Sequence, residues 1–431
     1  MLHPPHPSPS QPILPQPILP RRGPRPLTLH LALAGLRANA DRTPDSAALQ
    51  AALTQWAANP NGLAGLAGPA GFASLALQGP DAALIHGIAA YRRHPTQRDL
   101  TDPPAIWQEG GTMLRDYGGS GPTLLLVPSL VNRATILDLA EGASLARALA
   151  GAGLHVLLLD WGWPDAQARQ FDLAALITGR LARAIDAAAG RGRLILAGYC
   201  MGGTLALAAT LLQPSKVAAL ALLATPWDFH TGRTSDDIAA IPRLLEALEP
   251  LMQICGTLPV DVLQALFNLG EPHAVGDKYR AFGTSDQTAA RARQFVLIED
   301  WLNDGVPLAA PIARDCLRDW YGANRPARGL WQIADTTIDP ARISVPCLAA
   351  IASRDRIVPP ASSLKLAHAL PSCALLRADA GHVGMIAGSQ ARTLLWQPLA
   401  RWALAQPVFR NRSRASKLRP QAGPTRREKP E

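Results

Sequence analysis

The stretch Leu194-Ile-Leu-Ala-Gly-Tyr-Cys-Met-Gly-Gly203 decides the fold of this 431-residue chain. Four apolar residues run into a Gly-Tyr-Cys-Met-Gly turn, and an alanine- and leucine-rich segment, residues 204–212, follows at once. This order predicts a strand, a sharp turn and a helix, with Cys200 at the tip of the turn. The flanking glycines suit a turn too tight for side chains. The spacing is that of a nucleophile elbow, and a packed, unreactive cysteine is the alternative.

Length and composition allow one large α/β domain with additions, or two domains, and 48% hydrophobic residues are enough for a core. The five cysteines are odd in number and widely spaced, with no C-x-x-C pair. This argues against a disulfide framework or a zinc site and for a reducing compartment. The N-terminus lacks an unbroken apolar segment, and no stretch reaches the ~18 apolar residues of a membrane span. We therefore expect a soluble cytoplasmic protein without a transmembrane segment.

The net charge of +9 lies at the two ends of the chain. Residues 1–26 hold three arginines and no acid, while residues 409–431 hold eight basic and two acidic residues. Proline density, including the repeat Gln-Pro-Ile-Leu-Pro at 11–15 and 16–20, predicts a disordered tail over 1–26. Residues 409–431 are predicted to be a basic disordered tail, which is more often solubilising than a nucleic-acid ligand. Nucleic acid is therefore not an expected partner.

Between the tails, the hydrophobic period changes from helical to strand-like. Residues 27–104 are predicted to form a helical N-terminal region, with apolar residues at helical spacing in 27–38, 46–57 and 82–91. From residue 105, short and continuously apolar segments alternate with helical ones, beginning with a hairpin around Gly110-Gly111. Such strands predict a mostly parallel sheet with helices on both faces. In this first part of the core, residues 105–227, the later strands are predicted at 123–127, 155–159, 194–197 and 217–223.

Residues 228–340 interrupt this alternation. They contain amphipathic helical pieces, turn residues and several aromatic residues, but no clear strand. In an elbow fold, an insertion at this point usually forms a cap over the active site, so we predict a helical cap insertion. The second part of the core, residues 341–408, is predicted to have strands at 347–353 and 374–378 and helices at 362–370 and 390–404.

Two late strands end in residues that could complete a catalytic site. Asp355 follows the strand 347–353, and His382 follows the strand 374–378. The order nucleophile, acid, histidine is that of the α/β-hydrolase fold, and the carboxyl ends of neighbouring parallel strands converge on one rim. We predict that His382 takes the proton of Cys200, which makes the attacking thiolate, and that Asp355 orients His382. Taken singly, the acid could be a capping residue and the histidine a packed one.

Two backbone N–H groups are predicted to bind the oxyanion of the transition state. Met201, at the start of the elbow helix, supplies the first. The loop after the strand 123–127 supplies the second, near Ser129 or Leu130. His230 and His273 lie in the predicted cap, where they are candidates for substrate contact.

These motifs resemble the poly(3-hydroxyalkanoate) synthases, α/β-hydrolase relatives whose elbow carries cysteine in G-x-C-x-G. The similarity covers roughly residues 90–405. In this family histidine usually follows the acid, where this chain has Arg356, and the helical region before the sheet is shorter and richer in alanine here. The matching segments beyond the elbow are 127–139 around the oxyanion loop, 159–165 at the next strand end, the acid motif 353–359 and the histidine motif 381–382.

The resemblance implies acyl transfer from (R)-3-hydroxyacyl-CoA onto a growing polyester held covalently on Cys200. Asp355 would support His382 or help to activate the incoming 3-hydroxyl. The resemblance implies no metal or redox cofactor, because the coenzyme A thioester is the substrate. An α/β-hydrolase that cleaves an ester or thioester with the same triad is the alternative, and a non-enzymatic granule protein with a decayed site is a third. A homodimer, a partner subunit and attachment to polyester granules stay open.

Overall fold

The computed structural model describes residues 21–40 and 81–407. Its centre is an eight-stranded sheet. The strands in chain order are β1 (Ala105–Glu109), β2 (Thr112–Asp116), β3 (Thr123–Val127), β4 (His155–Asp160), β5 (Leu194–Tyr199), β6 (Val217–Leu223), β7 (Thr257–Leu258), β8 (Leu308–Ala309), β9 (Gln332–Ile333), β10 (Thr336–Thr337), β11 (Cys347–Ala352) and β12 (Cys373–Ala378).

Helices surround this sheet, and three of them contain π-helical turns. They are α1 (Leu27–Ala40), α2 (Ala82–Arg93), α3 (Leu145–Gly151), α4 (Leu173–Ala175, π-helical Leu176–Leu181 and Ala182–Ala188), α5 (Met201–Leu212), α6 (Ser235–Cys255), α7 (Val260–Asn268), α8 (Ala274–Gly283), α9 (Ala290–Asn303), α10 (Ala310–Asp315 and π-helical Cys316–Gly322), α11 (Pro360–Ala369), α12 (His382–Ala387) and α13 (π-helical Arg392–Trp396 and Gln397–Leu404). Short 3-10 turns lie at Ala134–Asp138, Ala168–Gln170, Ala189–Arg191 and Pro340–Arg342.

The order of the strands in the main sheet is β1-β2-β4-β3-β5-β6-β11-β12. The pairs β1–β2 and β2–β4 are antiparallel, and all later pairs are parallel. The strands that carry the elbow and the two late motifs are therefore close neighbours, and their carboxyl ends lie on one rim. The predicted α/β-hydrolase fold, a mostly parallel sheet covered by helices, is confirmed.

Both faces of the central strands are buried, which explains why their sequences are continuously apolar. In β3, Leu125 and Val127 pack into the core on one face, while Leu124 and Leu126 pack into the core on the other. All four side chains are inaccessible to solvent. A strand with water on one face would instead alternate apolar and polar residues.

Residues 228–340 contain the helices α6 to α10 and four strands of two residues each. β7 pairs with β8, and β9 pairs with β10, both antiparallel. The expectation that this segment has no strand is therefore wrong in detail. A two-residue strand is too short to produce a periodic sequence pattern, which explains why it could not be predicted.

The chain before the sheet is helical only in part. The segment from His94 to Pro104 contains neither helix nor strand, although it belongs to the region predicted as helical. The three prolines of this segment, Pro95, Pro103 and Pro104, do not suit a regular helix. Within the described part of the chain, no helix is both long and apolar enough to cross a membrane.

Residues 21–26 are held by ion pairs. Arg21 Nε lies 2.6 Å from Asp300 Oδ1, and Arg25 Nε lies 2.8 Å from Asp261 Oδ1. The predicted disordered tail over 1–26 is therefore wrong at its C-terminal end, because proline density disfavours helix and sheet without preventing such contacts. The remaining predictions on residues 1–20, on the helix at 46–57 and on the tail 409–431 lie outside the described residues.

Candidate active site

Cys200 occupies a strained turn between β5 and α5. Its backbone has φ 54° and ψ −128°, a left-handed conformation that few residues other than glycine adopt. The Cys200 N–H donates to the Leu223 carbonyl at 2.9 Å, and the Gly203 N–H donates to the Cys200 carbonyl at 2.9 Å. These bonds hold the turn against its strain and fix the cysteine at the rim of the sheet.

The glycines of the motif are needed because backbones meet at the turn. A Cβ on Gly198 would lie 2.4 Å from the Gly202 carbonyl oxygen. A Cβ on Gly202 would lie 2.2 Å from the Val127 carbonyl oxygen at the end of β3 and 2.5 Å from that of Pro128. The start of α5 therefore packs directly against the loop that follows β3, with no room for a side chain between them.

Asp355 lies in the turn after β11, and its carboxylate is fixed from two sides. Oδ1 accepts hydrogen bonds from the Ile357 N–H at 2.9 Å and the Val358 N–H at 2.8 Å. Oδ2 accepts a hydrogen bond from His382 Nδ1 at 2.6 Å. The side chain is buried. Because the two amides hold Oδ1, the other oxygen has one orientation, towards the imidazole.

His382 begins α12 directly after the turn that follows β12, and its side chain contacts both Asp355 and Cys200. Burial alone would lower the pKa of His382, but the charge of Cys200 and the hydrogen bonds to Asp355 and Cys200 outweigh burial and raise it to about 10. The imidazole is therefore protonated at neutral pH opposite the cysteine. This arrangement suits a thiolate–imidazolium pair, the attacking form of a cysteine nucleophile.

The structure thus brings together the three side chains that the sequence selected from distant motifs. Met201 is the first residue of α5, where an amide has no acceptor within the helix. Ser129 and Leu130 follow Pro128, whose carbonyl lies against the start of the same helix. Their role as oxyanion donors stays a prediction.

The loop with the predicted oxyanion residues is held in place by its own contacts. Ser129 Oγ accepts a hydrogen bond from the Val131 N–H at 3.3 Å. Trp161 Nε1 donates to the Pro128 carbonyl at 3.1 Å. Leu130 is buried and packs into the core beside the sheet. The loop is consequently anchored on both of its sides, which an oxyanion site requires, since its donors must be oriented before the reaction.

Tyr199, the residue before the cysteine, was missed by sequence reasoning. It is buried, and its hydroxyl donates to the His382 carbonyl at 3.3 Å. The two rings lie with their centroids 5.1 Å apart. Burial, with the charges of Cys200 and Asp355, raises the pKa of Tyr199 well above its ordinary value, so the hydroxyl stays protonated. The motif leaves this position unspecified, so no local signal assigns it a role.

The remaining residues selected from the sequence lie in other surroundings. His230 Nε2 donates to the carbonyls of Tyr321 and Gly322 at 3.0 and 3.1 Å, so this nitrogen is engaged by the cap backbone. His273 precedes α8, and burial lowers its pKa, with Arg37 adding to the effect. Arg356, where the related family has histidine, pairs with Glu271 across the exposed edge between core and cap.

Comparisons with known proteins agree with this architecture. A family model described as alpha/beta hydrolase fold matches residues 122–244. A poly(3-hydroxyalkanoate) polymerase subunit from Synechocystis sp. is 32% identical over 333 residues, which cover 74% of this chain and 88% of the relative. Proteins of the same name from Allochromatium vinosum and Haloarcula marismortui are each 28% identical over 65% of this chain and cover 79% and 60% of their own lengths.

Proposed function

This chain belongs to the family of poly(3-hydroxyalkanoate) polymerase subunits, and from that premise we propose that it joins (R)-3-hydroxyacyl groups of coenzyme A thioesters into a polyester through Cys200. One observation carries the proposal. Cys200, on a strained elbow, lies against His382, whose Nδ1 donates to Asp355 at 2.6 Å. A thiolate suits the reaction because the thioester it forms stays reactive towards an alcohol.

In the first step, the Cys200 thiolate attacks the carbonyl carbon of the coenzyme A thioester. The new carbon–sulfur bond leaves a tetrahedral oxyanion, which accepts hydrogen bonds from the Met201 N–H and from the N–H of Ser129 or Leu130. When the carbonyl re-forms, the bond to the coenzyme A sulfur breaks, and His382 donates its proton to that sulfur. The products are free coenzyme A and a 3-hydroxyacyl thioester on Cys200.

In the second step, a 3-hydroxyl group attacks the thioester on Cys200. His382, now neutral, accepts the hydroxyl proton while the carbon–oxygen bond forms. The carbon–sulfur bond then breaks, and the thiolate–imidazolium pair is restored. Asp355 keeps the imidazole oriented and stabilises its charge in both steps. The reaction exchanges acyl groups between sulfur and oxygen, so as written it draws on no metal or redox group.

The proposal is tested by incubating the purified chain with (R)-3-hydroxybutyryl-CoA, measuring thiol release and determining the mass of the acyl product. We expect thiol release together with a high-mass polyester. Thiol release with free 3-hydroxybutyrate alone would make the protein a thioesterase-type hydrolase, because water would then reach the acyl-enzyme before the alcohol. Absence of thiol release would overturn the proposal.

The variant Cys255→Ser is a matched control for Cys200→Ser in this assay. Cys255 is half-buried and ends α6, and it has the same side chain without the elbow. The proposal requires product from the control and none from Cys200→Ser. Equal loss in the two variants would indicate a general sensitivity to thiol removal and contradict the assignment of Cys200 as the nucleophile.

We also propose that the enzyme acts at the surface of its product. A long polyester leaves solution, so an enzyme that holds the growing chain on Cys200 stays attached to the polymer. Sedimentation after turnover should recover the wild-type protein with the polyester. Cys200→Ala mixed with preformed polyester should stay in the supernatant, and its sedimentation would show that attachment does not need the covalent bond.

A further inference from the structure

Two cysteines begin the last two strands of the main sheet. Cys347 is the first residue of β11, and Cys373 is the first residue of β12. The two strands are parallel, and these cysteines are direct partners in their register. The Cys347 N–H donates to the carbonyl of Ser372, the residue before Cys373, at 2.8 Å. Two thiols from separate strands therefore lie side by side, at the end of the sheet opposite the catalytic rim.

Both side chains lie on the same face of the sheet. Cys347 is buried in the core on that face, and the half-buried Cys373 packs against the same core. Leu348, the next residue of β11, belongs to the core on the other face. Neighbouring strands lie about 4.8 Å apart, which falls within the roughly 4.4–6.8 Å between Cα atoms that a disulfide spans. The backbone therefore already has the spacing that a disulfide needs.

In the structure both cysteines are free thiols. The Cys347 S–H donates to the Val345 carbonyl at 3.3 Å, and the Cys373 S–H donates to the Ala374 carbonyl at 3.6 Å. Burial raises the pKa of Cys347 to about 12, with the charge of Cys373 adding to the rise, and burial raises the pKa of Cys373 as well. Because a thiolate is the reacting form, the pair should resist oxidation at first and react slowly.

The position of the pair gives a link between them a consequence for the site. β12 is the edge strand of the main sheet, next to β11, and three of its six side chains are exposed. A strand that is paired along one side opens more readily than a central one. β12 leads to His382, and β11 leads to Asp355. A covalent bond between their first residues would hold together the two strands that carry the acid and the histidine.

We infer that Cys347 and Cys373 form a reversible redox pair whose disulfide fastens the edge strand β12 to β11. The oxidant is a low-molecular-weight disulfide. Cys373, the more accessible thiol, loses its proton and attacks one sulfur of the oxidant, which forms a mixed disulfide and releases one thiol. Cys347 then loses its proton and attacks the Cys373 sulfur, and the second thiol leaves. Two protein thiols are thereby oxidised, and one small disulfide is reduced to two thiols.

The test incubates the full chain with oxidised glutathione, blocks the remaining thiols in acid and identifies linked peptides by mass spectrometry. We expect one cross-link within the chain, between Cys347 and Cys373, and its disappearance after treatment with dithiothreitol. Hydrogen exchange of the β12 amides should slow by about tenfold or more in the linked protein, because the disulfide restricts the opening of the strand. Neither measurement depends on the reaction that the protein catalyses.

The variant Cys255→Ser is the matched control. Cys255 is also half-buried, but it lies at the end of α6 in the cap. This variant should keep the cross-link and the slower exchange of β12 after oxidation. In Cys373→Ser, oxidised glutathione should produce no cross-link and should leave the exchange of β12 unchanged.

Three results would contradict the inference. Recovery of Cys347 and Cys373 as free thiols, or as separate glutathione adducts, would overturn the pairing. A mixture of cross-links that includes Cys200 or Cys255 would also overturn it, because such links would form from opened chains and not from the register of β11 and β12. A cross-link that leaves the exchange of β12 unchanged would overturn the role of the disulfide in fastening that strand.

Discussion

Two histidines of this protein are buried to a similar extent, with 7% of His382 exposed at the rim of the sheet and 2% of His30 in the N-terminal helix α1. Their pKa values nevertheless move in opposite directions. The pKa of His382 is raised to about 10, whereas that of His30 is lowered to about 4. At neutral pH, one imidazole is charged and the other is neutral.

The two pKa values differ because the two rings have different neighbours. Burial disfavours charge on both rings, but at the rim Cys200 and Asp355 provide compensating negative charge. Among the described residues, the His30 ring has one hydrogen-bond partner, the Arg25 carbonyl 3.2 Å from Nε2, and its buried Nδ1 has none. The charge of Lys278 lowers its pKa further. The charge of these two buried histidines is therefore set by their partners. Substitution of the partners tests this explanation.

Removal of the nucleophile should have the largest effect. Cys200→Ala should lower turnover by roughly 10⁴-fold or more, because no other group can carry the acyl intermediate. It should also lower the pKa of His382, since the charge of Cys200 is the largest of the causes that raise it. Turnover is measured by coenzyme A release, and the pKa by NMR titration of the His382 ring.

Cys255→Ala is the control for both measurements, because Cys255 lies at the end of a cap helix. Its turnover and its histidine titration should match the wild type. A high pKa for His382 that persists in Cys200→Ala would show that Asp355 alone keeps the ring charged, and it would contradict the assignment of Cys200 as the largest cause of the raised pKa.

Replacement of Asp355 should have the next largest effect on turnover. In Asp355→Asn, the N–H groups of Ile357 and Val358 hold the amide oxygen in the place of Oδ1. The amide nitrogen then faces His382 Nδ1 and forces the proton to the other ring nitrogen, which can no longer accept the thiol proton. We expect turnover to fall by about 10³- to 10⁴-fold with the fold unchanged. Asp379→Asn, an exposed acid near the same turn, should be close to neutral.

The rim could be predicted because its signals are local. The elbow appears as one uninterrupted pattern of apolar strand, glycine-flanked turn and helix, and parallel strands oblige residues at their carboxyl ends to converge. That reasoning found Cys200, Asp355 and His382. It could not find Tyr199, because the motif leaves that position free.

The N-terminal segment and the cap side of the site could not be predicted, because their contacts are long-range. Arg25 and Asp261 are 236 positions apart in sequence, and neither lies in a pattern that indicates the other. Tyr321 contacts the loop after β6 through its carbonyl and its ring, and no pattern in the sequence indicates this pairing. The prolines of residues 21–26 indicate that this segment is neither helix nor strand, but they give no information on the acids with which its arginines pair.

Acid should release the N-terminal helix α1. The folded-state pKa of His30, about 4, lies below the ordinary value of 6.5, so its contribution to stability is present above pH 6.5 and is lost as the pH falls towards 4. The free energy of unfolding of this segment should fall by roughly 3 kcal/mol across this range. Hydrogen exchange in α1, measured across this range, should show progressive opening.

The variant His30→Leu removes the titrating group, so the protection of the α1 amides, after correction for the intrinsic pH dependence of exchange, should be nearly independent of pH in the same window. The stability of α1 in this variant should not change with pH, but it should differ from that of the wild type, because the hydrogen bond to the Arg25 carbonyl is lost. An equal acid response in the variant would assign the opening to other groups, such as the carboxylates that pair with Arg21 and Arg25.

The smallest effect should come from Tyr199→Phe. The substitution keeps the ring against His382 and removes one hydrogen bond of 3.3 Å to its carbonyl. Such a bond contributes about 1 kcal/mol, so turnover should fall by less than about tenfold, with KM unchanged. In this variant Asp355 would still accept the hydrogen bond from His382 Nδ1. A loss as large as that of Asp355→Asn would mean that the position of the histidine backbone, and not the surrounding charge, limits the site. In that case partners alone would not explain why this histidine differs from His30.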